Sequence, residues 1–179
     1  KDFVNVLFEN YLFETKLYGT YNYSNVCAAI ALGLEFGIDK NKINQSLKDY
    51  QPKNNRSEIK KIGDKTIVLD AYNANPMSMI ASLELLHNLA EHGPVLALLG
   101  DMLELGPLEH DSHKEVLLKA KELGLQVGCT GPRFSAAAQE LGLTLWKTTE
   151  NSSEMAAHVT EWLAASAPPQ NVSILLKGS

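Results

Sequence analysis

Lys-Thr-Ile-Val-Leu-Asp-Ala-Tyr-Asn-Ala-Asn-Pro, residues 65–76, contains a strand, a polar turn and the start of a helix. Its first half is apolar and β-branched, which is typical of a buried strand. Asn75 is a good N-cap, and Pro76 suits the first helical position because its missing N–H is not needed there. Apolar residues from Met79 to Ala90 then recur at helical spacing. The stretch therefore predicts one strand–helix unit.

The same alternation continues to the end of the chain. Apolar segments predict strands at 95–99, 126–129, 144–146 and 172–176. Helical spacing predicts helices at 113–123, 134–141 and 155–163, the first two closed by Gly124 and Gly142. A hairpin, 58–62 and 65–69, opens this region around Gly63 and Asp64. The pattern predicts an α/β fold with a mostly parallel sheet and helices on both faces.

The first 50 residues follow a different pattern. Segments 3–8 and 11–17 predict a β-hairpin. A helix with apolar residues from Val26 to Gly33 follows, and Gly37 ends it. Asp39 is the predicted cap of a second helix. The polar segment 50–56 contains Pro and predicts a linker, so we expect domains at 1–50 and 51–179.

Composition restricts the class of protein. The 179 residues are 45% apolar and 21% charged, as in ordinary soluble globular proteins. A net charge of -5 argues against a nucleic-acid or membrane-surface partner. The two cysteines, Cys27 and Cys129, are interpreted as buried thiols of a reducing compartment, not as a disulfide. The chain begins with Lys, which suggests a piece of a longer protein.

Polar residues follow the predicted strands, where ligands bind in sheets of this kind. The four strand ends are Asp70–Pro76, Gly100–Gly106, Thr130–Pro132 and Lys177–Ser179. A carboxylate just past a strand can accept hydrogen bonds from a ribose diol. The start of the helix at Pro76 favours an anionic group. A Lys and a Ser at the end of the last strand are suited to a carboxylate or phosphate.

Simpler interpretations stay open for these residues. Asp70 also fits a turn carboxylate, and Asn75 fits a helix cap alone. Asp101 and Glu104 also fit a solvated loop pair. His110 and His113 lie three residues apart without a third ligand, so no metal site is predicted. The sequence has no glycine-rich nucleotide motif, P-loop or nucleophile elbow, so we expect no catalytic residue in this chain.

Three motifs together resemble the Mur ligase family. The first is Gly19-Thr-Tyr-Asn-Tyr-Ser-Asn-Val-Cys-Ala-Ala29, in which Tyr21 stands where the family commonly has His. The second is Arg56 followed by Asp70-Ala-Tyr-Asn-Ala-Asn-Pro76. The third is Leu99-Gly-Asp-Met-Leu-Glu-Leu-Gly106, with Lys177-Gly-Ser179 at the end. The resemblance runs from about residue 12 to the end of the chain.

The resemblance implies a domain assignment. Residues 1–50 resemble the end of the family's central ATPase domain, and 51–179 most of its Rossmann-like C-terminal domain. The family's P-loop, carbamylated lysine and most magnesium ligands would precede residue 1, and its last helix and strand would follow residue 179. ATP and Mg²⁺ are thus the implied cofactors, held mainly outside this chain. The isolated chain is expected to be inactive.

The resemblance also implies an activity. Two of the strings resemble the member that adds D-alanyl-D-alanine to UDP-N-acetylmuramoyl-tripeptide through an acyl phosphate, in cytoplasmic peptidoglycan precursor synthesis. The full-length enzyme is expected to be a monomer without nucleic-acid or membrane partners. The implied nucleotide-binding residues are Asn22, Asn25, Arg56 and Asp70. The implied substrate-binding residues are Asn73, Asn75, Asp101, Lys177 and Ser179.

Two alternatives remain. A receiver-like signalling module also has strand-end Asp residues and a Lys after the last strand, as at Asp70, Asp101 and Lys177. The spacing of these residues does not suit it. The other alternative is a different Mur ligase or a folylpolyglutamate synthase, against which the string at 70–76 argues.

Overall fold

The computed structural model describes residues 3–53, 55–90, 93–165 and 169–178. The chain divides into two compact units, Lys1–Lys53 and Asn54–Ser179. The division falls within the polar segment 50–56. The assignment of the two units to family domains remains a prediction. No helix within the described residues is long and apolar enough to cross a bilayer.

The first unit is a hairpin followed by two helices. Its elements are β1 (Val6–Phe8), β2 (Tyr11–Phe13), α1 (Asn22–Glu35) and α2 (Lys40–Asp49). The hairpin is shorter than predicted because side-chain bonds replace the ladder after Phe13. The Thr15 hydroxyl donates to the Val4 carbonyl, and the Thr15 N–H donates to Asn5 Oδ1. Asp39 caps α2 as predicted, accepting the Asn41 N–H at 2.9 Å.

The second unit contains the larger sheet. Its elements are β3 (Glu58–Ile62), β4 (Lys65–Asp70), α3 (Pro76–Leu89), β5 (Val95–Gly100), α4 (Glu109–Glu122), β6 (Gln126–Thr130), α5 (Pro132–Glu140), β7 (Lys147–Thr149), α6 (Ser152–Leu163) and β8 (Ser173–Lys177). In the described part of this unit the strand order is β3-β4-β8-β5-β6-β7. Among the described strands of this sheet, only β3 is antiparallel to its neighbour. The predicted α/β fold is confirmed.

The helices cover both faces of this sheet. The connections through α3, α4 and α5 all move in one direction across the sheet, whereas the connection through α6 returns. Right-handed crossovers therefore place α6 on the opposite face. Contacts agree, because a Cβ on Gly128 would lie 3.3 Å from Met155 of α6. The next residue, Cys129, points to the other face of the sheet. Cys129 is aligned across the strands with Asp70, so both side chains lie on the same face. That face is covered by α3, because Ser82 of α3 donates to Asp70.

Two predictions were wrong in detail. The strand predicted at 144–146 is β7, at Lys147–Thr149. The centroids of the Trp146 and Trp162 rings lie 5.7 Å apart, and the backbone N–H of Trp146 donates to the Val127 carbonyl just before the ladder begins. Of the two free cysteines only Cys129 is buried, and burial raises the pKa of its thiol. Cys27 is half-buried, because α1 turns Val26 and Ile30 inwards instead.

The central strand β5 contributes fully buried side chains to the core of the second unit. Leu96 on β5 is completely buried. We expect Leu96→Ala to lower the free energy of unfolding by about 2–5 kcal/mol, since it leaves a cavity between strand and helix. Leu108→Ala is the matched control, because Leu108 is 68% exposed. Denaturant titration of the 179-residue chain measures both, and equal losses would contradict the assignment of the core.

Candidate functional site

The carboxyl ends of the parallel strands bring the predicted loops to one edge of the sheet. Asp70 is paired in register with Lys177, Lys177 with Leu99, and Gly100 with Thr130. The segments that follow β4, β5, β6 and β8 therefore leave the sheet side by side. This is the edge at which open α/β sheets bind ligands.

Asp70 and Lys177 form a buried ion pair at this edge. Lys177 Nζ lies 2.9 Å from Asp70 Oδ2 and donates to the Asn73 carbonyl at 2.7 Å. The Lys177 side chain is 2% exposed and that of Asp70 is 15% exposed. The pair joins β4, β8 and the loop after β4. The alternative interpretation of Asp70 as a simple turn carboxylate is therefore wrong.

Two further groups bind the Asp70 carboxylate. The Ser82 hydroxyl donates to Oδ2 at 2.6 Å, and the Ser57 N–H donates to Oδ1 at 2.9 Å. Burial alone would raise the pKa of Asp70, but the hydrogen bonds from Ser82, Lys177 and Ser57 and the charge of Lys177 together lower it by more than burial raises it. The net result is a pKa below the usual value. Both oxygens are occupied, and the weakest contact is the Ser57 hydroxyl at 3.4 Å.

Asn73 and Asn75 shape the loop between β4 and α3. Asn73 Oδ1 accepts the Ala74 N–H at 2.8 Å, while the Asn73 carbonyl accepts from Lys177. Asn75 Oδ1 accepts the Ser78 N–H at 2.9 Å, and the Asn75 N–H donates to the Ser78 hydroxyl. This capping box satisfies two N–H groups at the start of α3. The predicted capping role of Asn75 is confirmed.

Asp101 caps α5, a helix that begins 31 residues further along the chain. Its Oδ2 accepts the Arg133 N–H at 3.0 Å and its Oδ1 the Phe134 N–H at 3.1 Å, both at the start of α5. The side chain of Asp101 is 7% exposed. Gly131 has φ +103°, and a Cβ there would lie 2.5 Å from Asp101 Oδ2. The solvated-loop interpretation is wrong for Asp101, although Glu104 is exposed.

His113 holds the loop after β5 from inside the core. The Met102 N–H donates to His113 Nε2 at 3.1 Å, so the ring's proton is on Nδ1, 2.6 Å from the Glu109 carbonyl. The ring is fully buried and meets the Phe134 ring edge-on at 4.4 Å. Among the described residues no group of three His, Cys, Asp or Glu is placed to hold a metal ion.

Arg56 lies over an aromatic ring that sequence reasoning did not single out. Its guanidinium carbon is 3.5 Å from the centroid of the Tyr72 ring. Tyr72 is 62% exposed and belongs to the loop after β4. Ser57 and Ser82, which bind Asp70, were also missed. The one available signal was a large aromatic residue inside a polar turn at a strand end.

The remaining predicted residues lie elsewhere. Asn22 and Asn25 belong to α1 of the first unit. Asn22 Nδ2 donates to the Tyr18 carbonyl at 2.7 Å, and Asn25 Nδ2 donates to Asn22 Oδ1 at 3.4 Å. Ser179 lies outside the described residues. The roles assigned to these three residues remain predictions.

Comparison with known proteins assigns the family. Residues 55–179 match the family described as "Mur ligase, glutamate ligase domain". The chain belongs to the Mur ligase family. The receiver-like alternative is therefore dropped. The structure agrees, because both oxygens of the Asp101 carboxylate accept N–H groups at the start of α5.

Two curated relatives carry the same name, UDP-N-acetylmuramoyl-tripeptide–D-alanyl-D-alanine ligase. The protein from Bacillus subtilis is 42% identical over 104 residues, which are 58% of this chain and 23% of that protein. The protein from Treponema pallidum is 33% identical over 137 residues, which are 76% of this chain and 29% of that protein. This Mur ligase chain thus spans about a quarter of the length of these relatives.

Solved Mur ligase structures share the fold. MurF from Acinetobacter baumannii has a TM-score of 0.82 at 26% identity, covering 94% of this chain and 37% of that one. MurF from Thermotoga maritima, solved with ADP, has a TM-score of 0.76 at 20% identity, covering 98% and 39%. Folylpolyglutamate synthase from Thermotoga maritima has a TM-score of 0.57 at 16% identity, covering 91% and 37%. The last two likenesses show the fold alone.

The buried ion pair predicts strong coupling between two positions. Asp70→Asn or Lys177→Met alone leaves a buried charge without its partner, so we expect each to cost about 3–5 kcal/mol of unfolding free energy. The double variant removes both charges and is expected to cost clearly less than the sum of the two. Denaturant titration of the four proteins gives the coupling. Additive losses would show that the two side chains do not stabilise each other.

The lowered pKa of Asp70 predicts an acid-dependent loss of stability. A carboxyl whose pKa is lower in the folded state stabilises the fold above its unfolded pKa of about 3.9. That contribution is lost as the pH falls through the folded value. Asp70→Asn is therefore expected to lose less stability than the unsubstituted chain between pH 5 and acid conditions. Parallel pH profiles of the two chains would contradict this expectation.

Proposed function

We propose that this chain is part of an ATP-dependent ligase that joins D-alanyl-D-alanine to UDP-N-acetylmuramoyl-tripeptide. The observation that carries the proposal is the named activity of the Bacillus subtilis relative, at 42% identity. The strings that resemble this member lie at the carboxyl edge of the sheet, where a ligand would bind. The product would be a peptidoglycan precursor made in the cytoplasm, and the full-length enzyme a monomer.

The nucleotide-binding part of the proposal rests on Arg56 and Asp70. An exposed guanidinium suits a phosphate group, because it offers paired N–H donors and a fixed charge. A ribose hydroxyl would reach Asp70 by replacing the long contact from the Ser57 hydroxyl. The Thermotoga maritima neighbour, solved with ADP, supports a nucleotide in this family. Asn22 and Asn25 would lie near the adenine.

The described residues do not fit a magnesium site. Among them no acidic cluster of the required size is found, and Asp70 and Asp101 are already bound by protein groups. We therefore assign no step of the reaction to Mg²⁺ on this chain. The proposed contribution of this chain is to hold the nucleotide and to position the incoming amine.

The substrate-binding part of the proposal concerns the same edge. The terminal carboxylate of the tripeptide would be activated as an acyl phosphate, and the amine of D-alanyl-D-alanine would attack it. Asn73, Asn75, Asp101, Lys177 and Ser179 are proposed to belong to the region that holds the dipeptide. Lys177 and Asp101 would act by fixing the loops after β4 and β5, because their charged atoms are bound within the protein. Such a reaction depends mainly on positioning and on excluding water.

The acceptor distinguishes this activity from that of other Mur ligases and of folylpolyglutamate synthase. We expect the full-length protein containing this chain to release phosphate with ATP, UDP-N-acetylmuramoyl-tripeptide and D-alanyl-D-alanine. D-glutamate, L-alanine and D-alanine serve as matched acceptors and are expected to give no phosphate. Mass spectrometry of the product identifies the pentapeptide. Turnover with a single amino acid, and none with the dipeptide, would overturn the proposal.

A further inference from the structure

The backbone around Arg56 is held in an unusual conformation. Asn55 and Ser57, on either side of it, have φ values of 56° and 52°. Residues other than glycine rarely adopt this left-handed region, and a short strained segment of this kind persists only where the surroundings fix it. Here the Ser57 N–H is fixed by the buried Asp70 carboxylate at 2.9 Å. The backbone position from which the Arg56 side chain extends is therefore fixed.

The ring of Tyr72 fixes the other end of Arg56. The guanidinium carbon lies 3.5 Å from the ring centroid, well within the range of a cation–π contact. Arg56 is exposed and Tyr72 is 62% exposed, so the contact is not part of a hydrophobic core. A planar guanidinium stacked on a ring keeps the N–H donors of its edge available for a ligand.

Among the residues that the structure describes, no protein group competes for those donors. Within the described residues Arg56 makes no hydrogen bond or ion pair, and its guanidinium lies over the Tyr72 ring. The neighbouring carboxylate, Asp70, is paired with Lys177 instead. A positive charge is thus held in place at the ligand-binding edge with no counter-charge among the described residues, which favours an anionic ligand.

We propose that Tyr72 is a positioning residue that holds the Arg56 guanidinium for a phosphate of the bound nucleotide. The inference rests on the proposed function and adds a residue to it. Tyr72 acts through Arg56 and does not itself contact the nucleotide. Pre-orienting the guanidinium lowers the entropy that binding would otherwise cost, so the effect appears in nucleotide affinity and not in the use of the acceptor.

The first test separates the ring from the hydroxyl group. Tyr72→Ala in the full-length protein is expected to raise the KM for ATP about two- to five-fold, as an exposed cation–π contact allows. Tyr72→Phe keeps the ring and is expected to restore the original KM. The KM for D-alanyl-D-alanine and kcat are expected to stay unchanged. Tyr50→Ala, which removes another exposed tyrosine, is the control for general effects.

A double-mutant cycle tests whether Tyr72 acts through Arg56. If it does, Tyr72→Ala adds no loss of ATP affinity to Arg56→Ala. Additive losses would mean that the ring contacts the nucleotide directly, which overturns the proposal. An unchanged KM in Tyr72→Ala would also overturn it. Melting temperatures of all variants confirm that each protein is folded.

Calorimetric titration with ADP separates this inference from the proposed activity, because it needs no acceptor. Weaker ADP binding by Tyr72→Ala, restored in Tyr72→Phe, supports the positioning role even if D-alanyl-D-alanine is not the acceptor. Equal ADP binding by wild type and Tyr72→Ala overturns the positioning role even if the dipeptide is ligated.

Discussion

The ion pair between Asp70 and Lys177 fixes how the sheet of the second unit is assembled. β4 and β5 follow each other in sequence but are separated by β8, the last strand, which must insert between them. Insertion in the correct register places Lys177 Nζ 2.9 Å from Asp70 Oδ2. A slip by one residue would turn Lys177 to the other face and leave two buried charges unpaired. The pair thus specifies register as well as stability.

The candidate site combines anchored loops with the charge of Arg56, which no carboxylate of the described residues pairs. Side chains at the strand ends bind backbone N–H groups of three segments: Asp70 binds Ser57 before β3, His113 binds Met102 after β5, and Asp101 binds Arg133 at the start of α5. These segments are therefore anchored before any ligand arrives. Arg56 differs, because its partner is an aromatic ring that leaves its charge unneutralised. Anchored loops beside an exposed guanidinium favour the binding of an anionic ligand in a defined orientation.

The fold followed from local signals, whereas the contacts of the site did not. The strand, cap and proline of residues 65–76 act within one short segment, so β4 and α3 were predictable. β7 is short, polar and defined by pairing with β6, which no local pattern reveals. Asp101 was placed correctly at a strand end, but its partners at the start of α5 are 32 and 33 residues away. The stack of Arg56 on Tyr72 depends on tertiary structure in the same way.

The close approach of Gly131 to Asp101 has a consequence for how this sequence can diverge. Any side chain at 131 would occupy the space of the Asp101 carboxylate, and the left-handed backbone there already disfavours one. Without that carboxylate, the start of α5 loses its cap, and one of the two reasons for glycine at 131, the steric one, is removed. Lineages that replace one are expected to replace the other, so that the pair co-varies although thirty residues separate its members.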